Sequence, residues 1–143
     1  MAIIQGMQFL KKPVVALFMQ ERHNNMPVSL HDKQLRIIYK TEEFNIKLID
    51  IEYIEASEWL CKIYTADMSY ICAVRLGKLC HQLSEYGFFR CHKGYAVNIH
   101  QVKKATSTKI LLTSDRMIPI GKAYKNIAMA FINAYPNLSK RII

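Results

Sequence analysis

The sequence predicts a mainly β domain of short antiparallel strands, with two short amphipathic helices and an N-terminal helical extension. Short β-rich runs separated by turn signals recur from residue 35 to residue 120. Two segments in that part of the chain place apolar residues at helical spacing. The connections between the β-rich runs are too short for parallel crossovers throughout, which favours antiparallel pairing.

Residues 1–30 differ in pattern from the rest of the chain. Residues 13–23 predict a short helix with Pro13 near its first turn, and residues 24–27 break it. We therefore expect three regions: a helical extension or linker over residues 1–30, a β domain over 35–135, and a basic tail over 136–143.

The strands of the domain are predicted from residue 35 onward. Residues 44–48 alternate apolar and polar side chains with the period of two that a half-buried strand shows. Residues 109–113 and 117–120 predict a hairpin, which puts Pro119 at a sheet edge or a strand end. Residues 95–104 do not favour one structure. Further strands are predicted at 35–40, 51–56, 61–65, 69–74 and 88–92, with a turn at 66–68.

Two helices complete the domain. Leu76, Leu79, Cys80 and Leu83 share one helical face, and Gly87 suits the left-handed position that ends such a helix. The second helix is predicted over residues 124–135. Its apolar face is expected to carry Ile127, Ala130, Phe131 and Ala134.

Composition excludes several classes of protein. The chain has 143 residues, of which 51% are hydrophobic and 22% charged, so it can bury a core and is not expected to be disordered. No apolar run approaches the ~20 residues that span a bilayer, and no secretion signal is evident. We therefore expect a cytoplasmic protein that does not span a membrane.

The net charge of +9 is unevenly distributed. Residues 1–89 carry equal numbers of basic and acidic side chains, whereas residues 90–125 carry eight basic residues and one acid, Asp115. A basic excess confined to one part of a domain indicates a polyanionic partner such as DNA, RNA or an anionic membrane. A basic protein with no such partner remains an alternative.

No cluster of residues predicts catalysis or metal binding. Phosphate-loop, dinucleotide-binding and serine-hydrolase motifs are absent from the sequence. Cys91 and His92 would point to opposite faces of a strand, so they do not suggest a shared metal. Asp50, Glu52 and Glu55 are expected on solvated strand faces. We expect no enzyme activity, no cofactor and no small-molecule substrate.

The four cysteines are Cys61, Cys72, Cys80 and Cys91. Their spacing lacks the C-x-x-C pairs of zinc sites, so we expect reduced thiols, mostly buried.

The order of these segments resembles the LytTR family of bacterial DNA-binding domains over about residues 35–134. The family pattern is approximately F-x-R-x-H-[RKN]-S-[YF]-x-[VI]-N. This chain matches it at Phe88 or Phe89, Arg90, His92, Lys93, Tyr95, Val97 and Asn98, and departs from it at Gly94. Residues 51–56, 62–65, 76–83 and 118–124 also fall in the family's order.

The resemblance implies a transcriptional regulator that binds double-stranded DNA and has no membrane partner. Family members typically enter successive major grooves with loops and bind paired direct repeats in promoters, which would place two copies, and a homodimer, on each site. Many are response regulators of two-component systems with an N-terminal receiver domain. Lys12–Pro13 resembles the pair that follows a receiver's last strand, so residues 1–30 are either a receiver remnant or an unrelated extension.

By the same resemblance, the DNA-facing loops map to residues 57–62, 92–94 and 121–125. An alternative places Trp59 in the core and gives Arg90 and His92 the task of orienting a loop. Tyr95 and Val97 are expected in the core, and Asn98 is expected to satisfy backbone groups at a turn. The candidate DNA-binding residues are Trp59, Lys62, Arg90, His92, Lys93, Lys122 and Lys125.

Two other functions remain open. Many family members have serine where Gly94 stands and an arginine where Ala123 stands, so the chain could be a protein-interaction module that has lost specific DNA binding. A binder of single-stranded DNA or RNA would use exposed aromatic rings as stacking platforms. Trp59 and the tyrosines are candidates for that role, although no RNA-binding motif is evident.

Overall fold

The computed structural model of the chain describes residues 28–31, 33–39 and 42–135. The helix predicted at residues 13–23, the Lys12–Pro13 pair and the basic tail lie outside the described residues. The chain divides into two compact units, Met1–Leu76 and Gly77–Ile143. Within the described ranges, no helix has the length and apolar character that a membrane crossing requires.

The first unit contains two antiparallel three-stranded arrangements. Strands β1, β2 and β3 pair in sequence order, as do β4, β5 and β6. The predicted alternation in β3 is confirmed, because Ile46 is buried while its neighbours Asn45 and Lys47 are exposed. The strands are β1 (Val28–His31), β2 (Gln34–Tyr39), β3 (Glu42–Lys47), β4 (Ile51–Ser57), β5 (Leu60–Thr65) and β6 (Ser69–Cys72).

The prediction for the acidic residues of β4 is wrong at Glu52. This residue is only 6% exposed, within a buried run that covers residues 51–54. Ile51 lies opposite Thr65 and Tyr53 lies opposite Tyr64, so Glu52 is the extra residue of a β-bulge. A bulge breaks the period-two alternation on which the prediction depended.

Glu55, on the same strand, is half-buried. Its Oε1 accepts a hydrogen bond of 2.9 Å from the Tyr64 hydroxyl. Of these three acids, only Asp50 is exposed, as expected for a solvated residue.

The second unit begins with the predicted helix. Helix α1 (Leu76–Leu83) buries Leu76, Leu79, Cys80 and Leu83, which confirms the predicted face. Gly87 follows a 3-10 turn over Ser84–Tyr86 and has φ of 96°, the predicted left-handed conformation. A Cβ at Gly87 would lie 2.7 Å from Ile99 Cγ2, so the position excludes larger residues sterically as well.

The rest of the second unit is a hairpin, a three-stranded sheet and a final helix. Strands β7 and β8 pair antiparallel, and β9, β10 and β11 form the sheet in that order. Pro119 lies on the edge strand β11, as predicted. The elements are β7 (Phe88–His92), β8 (Tyr95–Asn98), β9 (Val102–Ala105), β10 (Lys109–Leu112), β11 (Met117–Pro119) and α2 (Lys125–Asn133). The predicted fold class, mostly antiparallel β with two short helices, is confirmed for the described residues.

The predicted apolar face of α2 is wrong. The buried residues are Ala128 and Ile132, whereas Ile127 is 54% exposed and Ala130 is also exposed. The buried stripe is thus displaced by one residue, about 100° around the helix. Phe131 borders both faces and stacks on Phe89 of β7, with ring centroids 4.8 Å apart.

All four cysteines are buried, reduced thiols, as predicted. Burial raises the pKa of the Cys91 thiol to about 12 and raises the pKa of Cys72 further. The thiols of Cys72 and Cys91 are therefore neutral in the folded protein at neutral pH.

Candidate nucleic-acid interface

The turn between β7 and β8 is held by the two side chains that precede it. Arg90 donates hydrogen bonds to the carbonyl oxygens of Lys93 and His92. His92 accepts a hydrogen bond of 2.9 Å at Nδ1 from the backbone N–H of Gly94. Arg90 and His92 are both half-buried, while Lys93 at the apex is exposed. These contacts favour the alternative in which Arg90 and His92 orient the loop.

A second predicted segment lies against this turn. The Gly121 N–H donates to the Cys91 carbonyl oxygen over 2.9 Å, and the Tyr124 N–H donates to the Gly121 carbonyl oxygen over 2.9 Å. The Arg90 guanidinium carbon lies 5.6 Å from the centroid of the Tyr124 ring. The second unit therefore brings residues 92–94 and 121–125 together.

Three lysines are exposed on these two segments: Lys93, Lys122 and Lys125. In the part of the chain that the structure describes, none of them has a carboxylate partner. The first turn of α2 also contains no acidic residue. Lysines at a helix N-terminus are electrostatically unfavourable until an anion binds there, which makes this surface suitable for phosphate groups.

The hairpin between β4 and β5 presents the remaining candidates in the first unit. Ser57 lies opposite Leu60, so the loop is only Glu58 and Trp59. Trp59 is 45% exposed, which favours a place at an interface over the core alternative. Lys62 is half-buried within β5, directly opposite Glu55, and therefore lies in a strand rather than in the loop.

The other residues of the family pattern have structural roles. Val97 is fully buried, as predicted, while Tyr95 is only half-buried and its ring lies 5.4 Å from that of His92. Asn98 is 1% exposed, and its Oδ1 accepts a hydrogen bond of 3.0 Å from the His100 N–H. Asn98 thus satisfies a backbone donor at a turn, as expected.

Tyr124 is a member of this surface that sequence reasoning missed, although it lies within a predicted loop. The sequence gives only a weak indication of this role, because a single half-buried tyrosine before a helix more often packs against its neighbours than serves a function. Its contact with Arg90 joins residues far apart in sequence, so no local pattern could have predicted it.

Half of the basic residues between positions 90 and 125 lie outside the β7–β8 turn and the segment before α2. Lys103, Lys104, Lys109 and Arg116 are exposed on the sheet β9–β11 or its turns. Lys103 Nζ pairs with Asp115 Oδ1 at 3.2 Å. The basic excess of residues 90–125 is therefore divided between two surfaces. Among the described residues, no group of three His, Cys, Asp or Glu side chains could hold a metal ion.

Comparison with known proteins gives a family and several relatives. A family model described as "LytTr DNA-binding domain" matches residues 41–132. The chain is 34% identical over 55 residues to the transcriptional regulatory protein YpdB of Escherichia coli strain K12, a stretch covering 38% of this chain and 22% of that protein. YpdB of Shigella flexneri gives the same values. The match therefore spans under a quarter of the length of these relatives.

A solved structure shows the same fold. It is the LytTr DNA-binding domain of a putative methyl-accepting/DNA response regulator from Bacillus cereus, with a TM-score of 0.62 at 15% identity. The similarity covers 71% of this chain and 97% of that domain.

Proposed function

We propose that this chain, which belongs to the LytTR family of DNA-binding domains, recognises specific promoter sequences in duplex DNA. The family is one of transcriptional regulators and is not an enzyme class. The main support for this proposal is the setting of three lysines, Lys93, Lys122 and Lys125. All three are exposed and, among the described residues, have no carboxylate partner. They lie on two segments that hydrogen bonds hold together.

The proposed binding mode uses two kinds of contact, one to phosphates and one to base edges. The lysines and exposed backbone N–H groups contact phosphates, which supplies affinity without sequence information. Base edges are read in the major groove by the loops, where a lysine can donate to guanine and Trp59 can contact a thymine methyl group. Paired direct repeats would then be occupied by two copies of the domain, as a homodimer on DNA.

The cellular setting is part of the same proposal. The YpdB relatives are named as transcriptional regulatory proteins and the Bacillus cereus domain comes from a putative response regulator. We propose that this chain serves as the output domain of a bacterial response regulator in a two-component system, acting in the cytoplasm.

A selection from randomised duplex DNA tests this function. We expect the purified protein to enrich paired repeats, and Lys93→Ala to lose that enrichment. Lys109→Ala, which removes an exposed lysine from the sheet, is the matched control and should retain it. If about five phosphates are contacted, log K falls against log salt with a slope of about −4 to −5. Salt-insensitive binding, or no enrichment by the wild type, would reject the proposal.

A protein-interaction module is the second candidate, because glycine replaces a hydroxyl donor at position 94 and alanine replaces an arginine at position 123. The structure has room for both family residues. A Cβ at Gly94 would lie 3.7 Å from its nearest neighbour, His92 Nδ1, and Ala123 is exposed. If the wild type binds no DNA but the variant Gly94→Ser/Ala123→Arg does, the fold has kept a surface that can dock on DNA and lacks only the side chains that contact it.

A further inference from the structure

We infer that Arg90 is a positioning residue, which with Tyr124 holds the β7–β8 turn and the segment before α2 as a single recognition surface. This inference rests on the proposed DNA-binding function and assigns Arg90 a task within it. The alternative is that Arg90 contacts a DNA phosphate directly, as its charge and its place in the family pattern would suggest.

The guanidinium donors of Arg90 point to the backbone of the turn. Nη2 donates to the Lys93 carbonyl oxygen, and Nε reaches the His92 carbonyl oxygen at 3.4 Å. Both acceptors belong to the turn that presents Lys93. Arginine suits this task because its planar fork directs several donors at fixed angles, whereas lysine offers one compact charge on a flexible stem.

Two further groups lie near the guanidinium. Its carbon lies 5.6 Å from the Tyr124 ring centroid, within the range of a cation–π contact. A Cβ at Gly77, in α1, would lie 3.4 Å from Nη1. The half-buried side chain is thus bordered by the turn, the aromatic ring and the start of α1, and two of its three guanidinium nitrogens donate to the turn.

The Arg90–Tyr124 contact runs beside a backbone link between the same two segments. The Gly121 N–H donates to the Cys91 carbonyl oxygen, and the Tyr124 N–H donates to the Gly121 carbonyl oxygen. One side-chain contact and one chain of backbone hydrogen bonds therefore join β7 to the start of α2. Losing Arg90 removes the side-chain link and the two carbonyl bonds together, and leaves the His92–Gly94 hydrogen bond as the remaining side-chain support of the turn.

Amide hydrogen exchange of the full chain without DNA gives the direct test. Arg90→Lys keeps the positive charge and removes the fork, so we expect the amides of Gly94 and Tyr124 to exchange about 10-fold faster, with exchange in the β9–β11 sheet unchanged. Tyr124→Phe keeps the ring and should behave as the wild type. Tyr124→Leu removes the ring and should accelerate exchange of the amide at position 124 several-fold.

DNA affinity gives a second test, because a direct phosphate contact and a positioning role predict different salt dependences. We expect Arg90→Gln to weaken binding about 10-fold while the slope of log K against log salt stays within about 0.3 of the wild type. A direct phosphate contact would instead reduce that slope by about 0.9. Arg90→Lys should be nearly as weak as Arg90→Gln, although it keeps the charge.

The outcomes separate the two hypotheses. Unchanged exchange at both amides in Arg90→Lys, or a slope reduced by about 0.9 in Arg90→Gln, overturns the positioning role. If the wild type binds no duplex DNA, the proposed function fails, while the exchange measurement still decides whether Arg90 orders the turn.

Discussion

The two groups of cations in the second unit carry similar charge but lie in different settings. Arg90, Lys93, Lys122 and Lys125 surround the β7–β8 turn and the start of α2, and Lys103, Lys104, Lys109 and Arg116 lie on the sheet β9–β11 or its turns. Among the described residues, a carboxylate pairs with one lysine of the sheet group, Asp115 with Lys103, and with none of the lysines at the turn. Charge counted along the sequence therefore does not locate a site by itself.

The difference lies in what supports each group. On the sheet, Val102, Ala105, Ile110 and Leu112 form a buried face. Exposed lysines between them are what a half-buried sheet requires on its solvent side, whatever the protein does. At the turn, by contrast, side chains and backbone donors are engaged in fixing a loop, which costs conformational freedom and contributes little to a core. Such an arrangement supports the proposal that this surface binds DNA.

The largest expected effect is on the salt dependence of DNA binding, which should differ between lysine variants of the two groups. We expect the double variant Lys93→Ala/Lys122→Ala to lower the slope of log K against log salt by about 2, because each lysine releases about one counterion from DNA. The matched variant Lys104→Ala/Lys109→Ala should change it by less than about 0.5. The measurement is a DNA titration at several salt concentrations. Equal losses from the two pairs would mean that the whole basic excess binds DNA without a defined site.

An intermediate effect concerns alkaline stability, because Cys91 lies in β7 beneath the turn group. Burial raises the pKa of its thiol to about 12, from an ordinary value near 9. Above pH 9 the unfolded chain loses this proton while the folded chain keeps it, so the free energy of unfolding falls as pH rises until the folded pKa is reached. The expected contribution is about 1 kcal/mol between about pH 9 and pH 10.

Urea unfolding of the wild type and Cys91→Ala at about pH 7, 9 and 10 measures this contribution. The variant should lose less stability than the wild type over the alkaline range. Parallel losses in the two proteins would show that the thiol ionises as readily in the folded state as in the unfolded one.

The smallest expected effect lies on the sheet. Asp115→Asn removes the partner of an exposed ion pair, and such pairs contribute about 0–1 kcal/mol. We expect the free energy of unfolding to change by less than about 0.5 kcal/mol and DNA affinity to rise no more than about twofold. Urea unfolding and the same salt titration check both. A larger rise in affinity would indicate that Asp115 shields a DNA contact and would weaken the distinction between the two groups.

The elements that are predicted correctly are those whose signal is local. The alternation in β3 and the face of α1 follow from spacing within one segment, and both are confirmed. The predicted face of α2 is wrong because alanine occurs on both of its sides, so packing of Phe131 on Phe89 decides which residues are buried. The prediction for Glu52 is wrong because a β-bulge depends on the partner strand β5.

The sequence by itself determined the antiparallel fold class, the family, the basic excess and the segments that carry the candidate lysines, since each depends on composition or short-range order. Only the tertiary structure decided that residues 92–94 and 121–125 meet, that Arg90 turns inward to Tyr124, and that Lys62 lies in a strand opposite Glu55. The physical reason is that a local pattern records which groups a segment exposes, whereas hydrogen bonds and ring contacts between distant segments depend on how the folded chain brings them together.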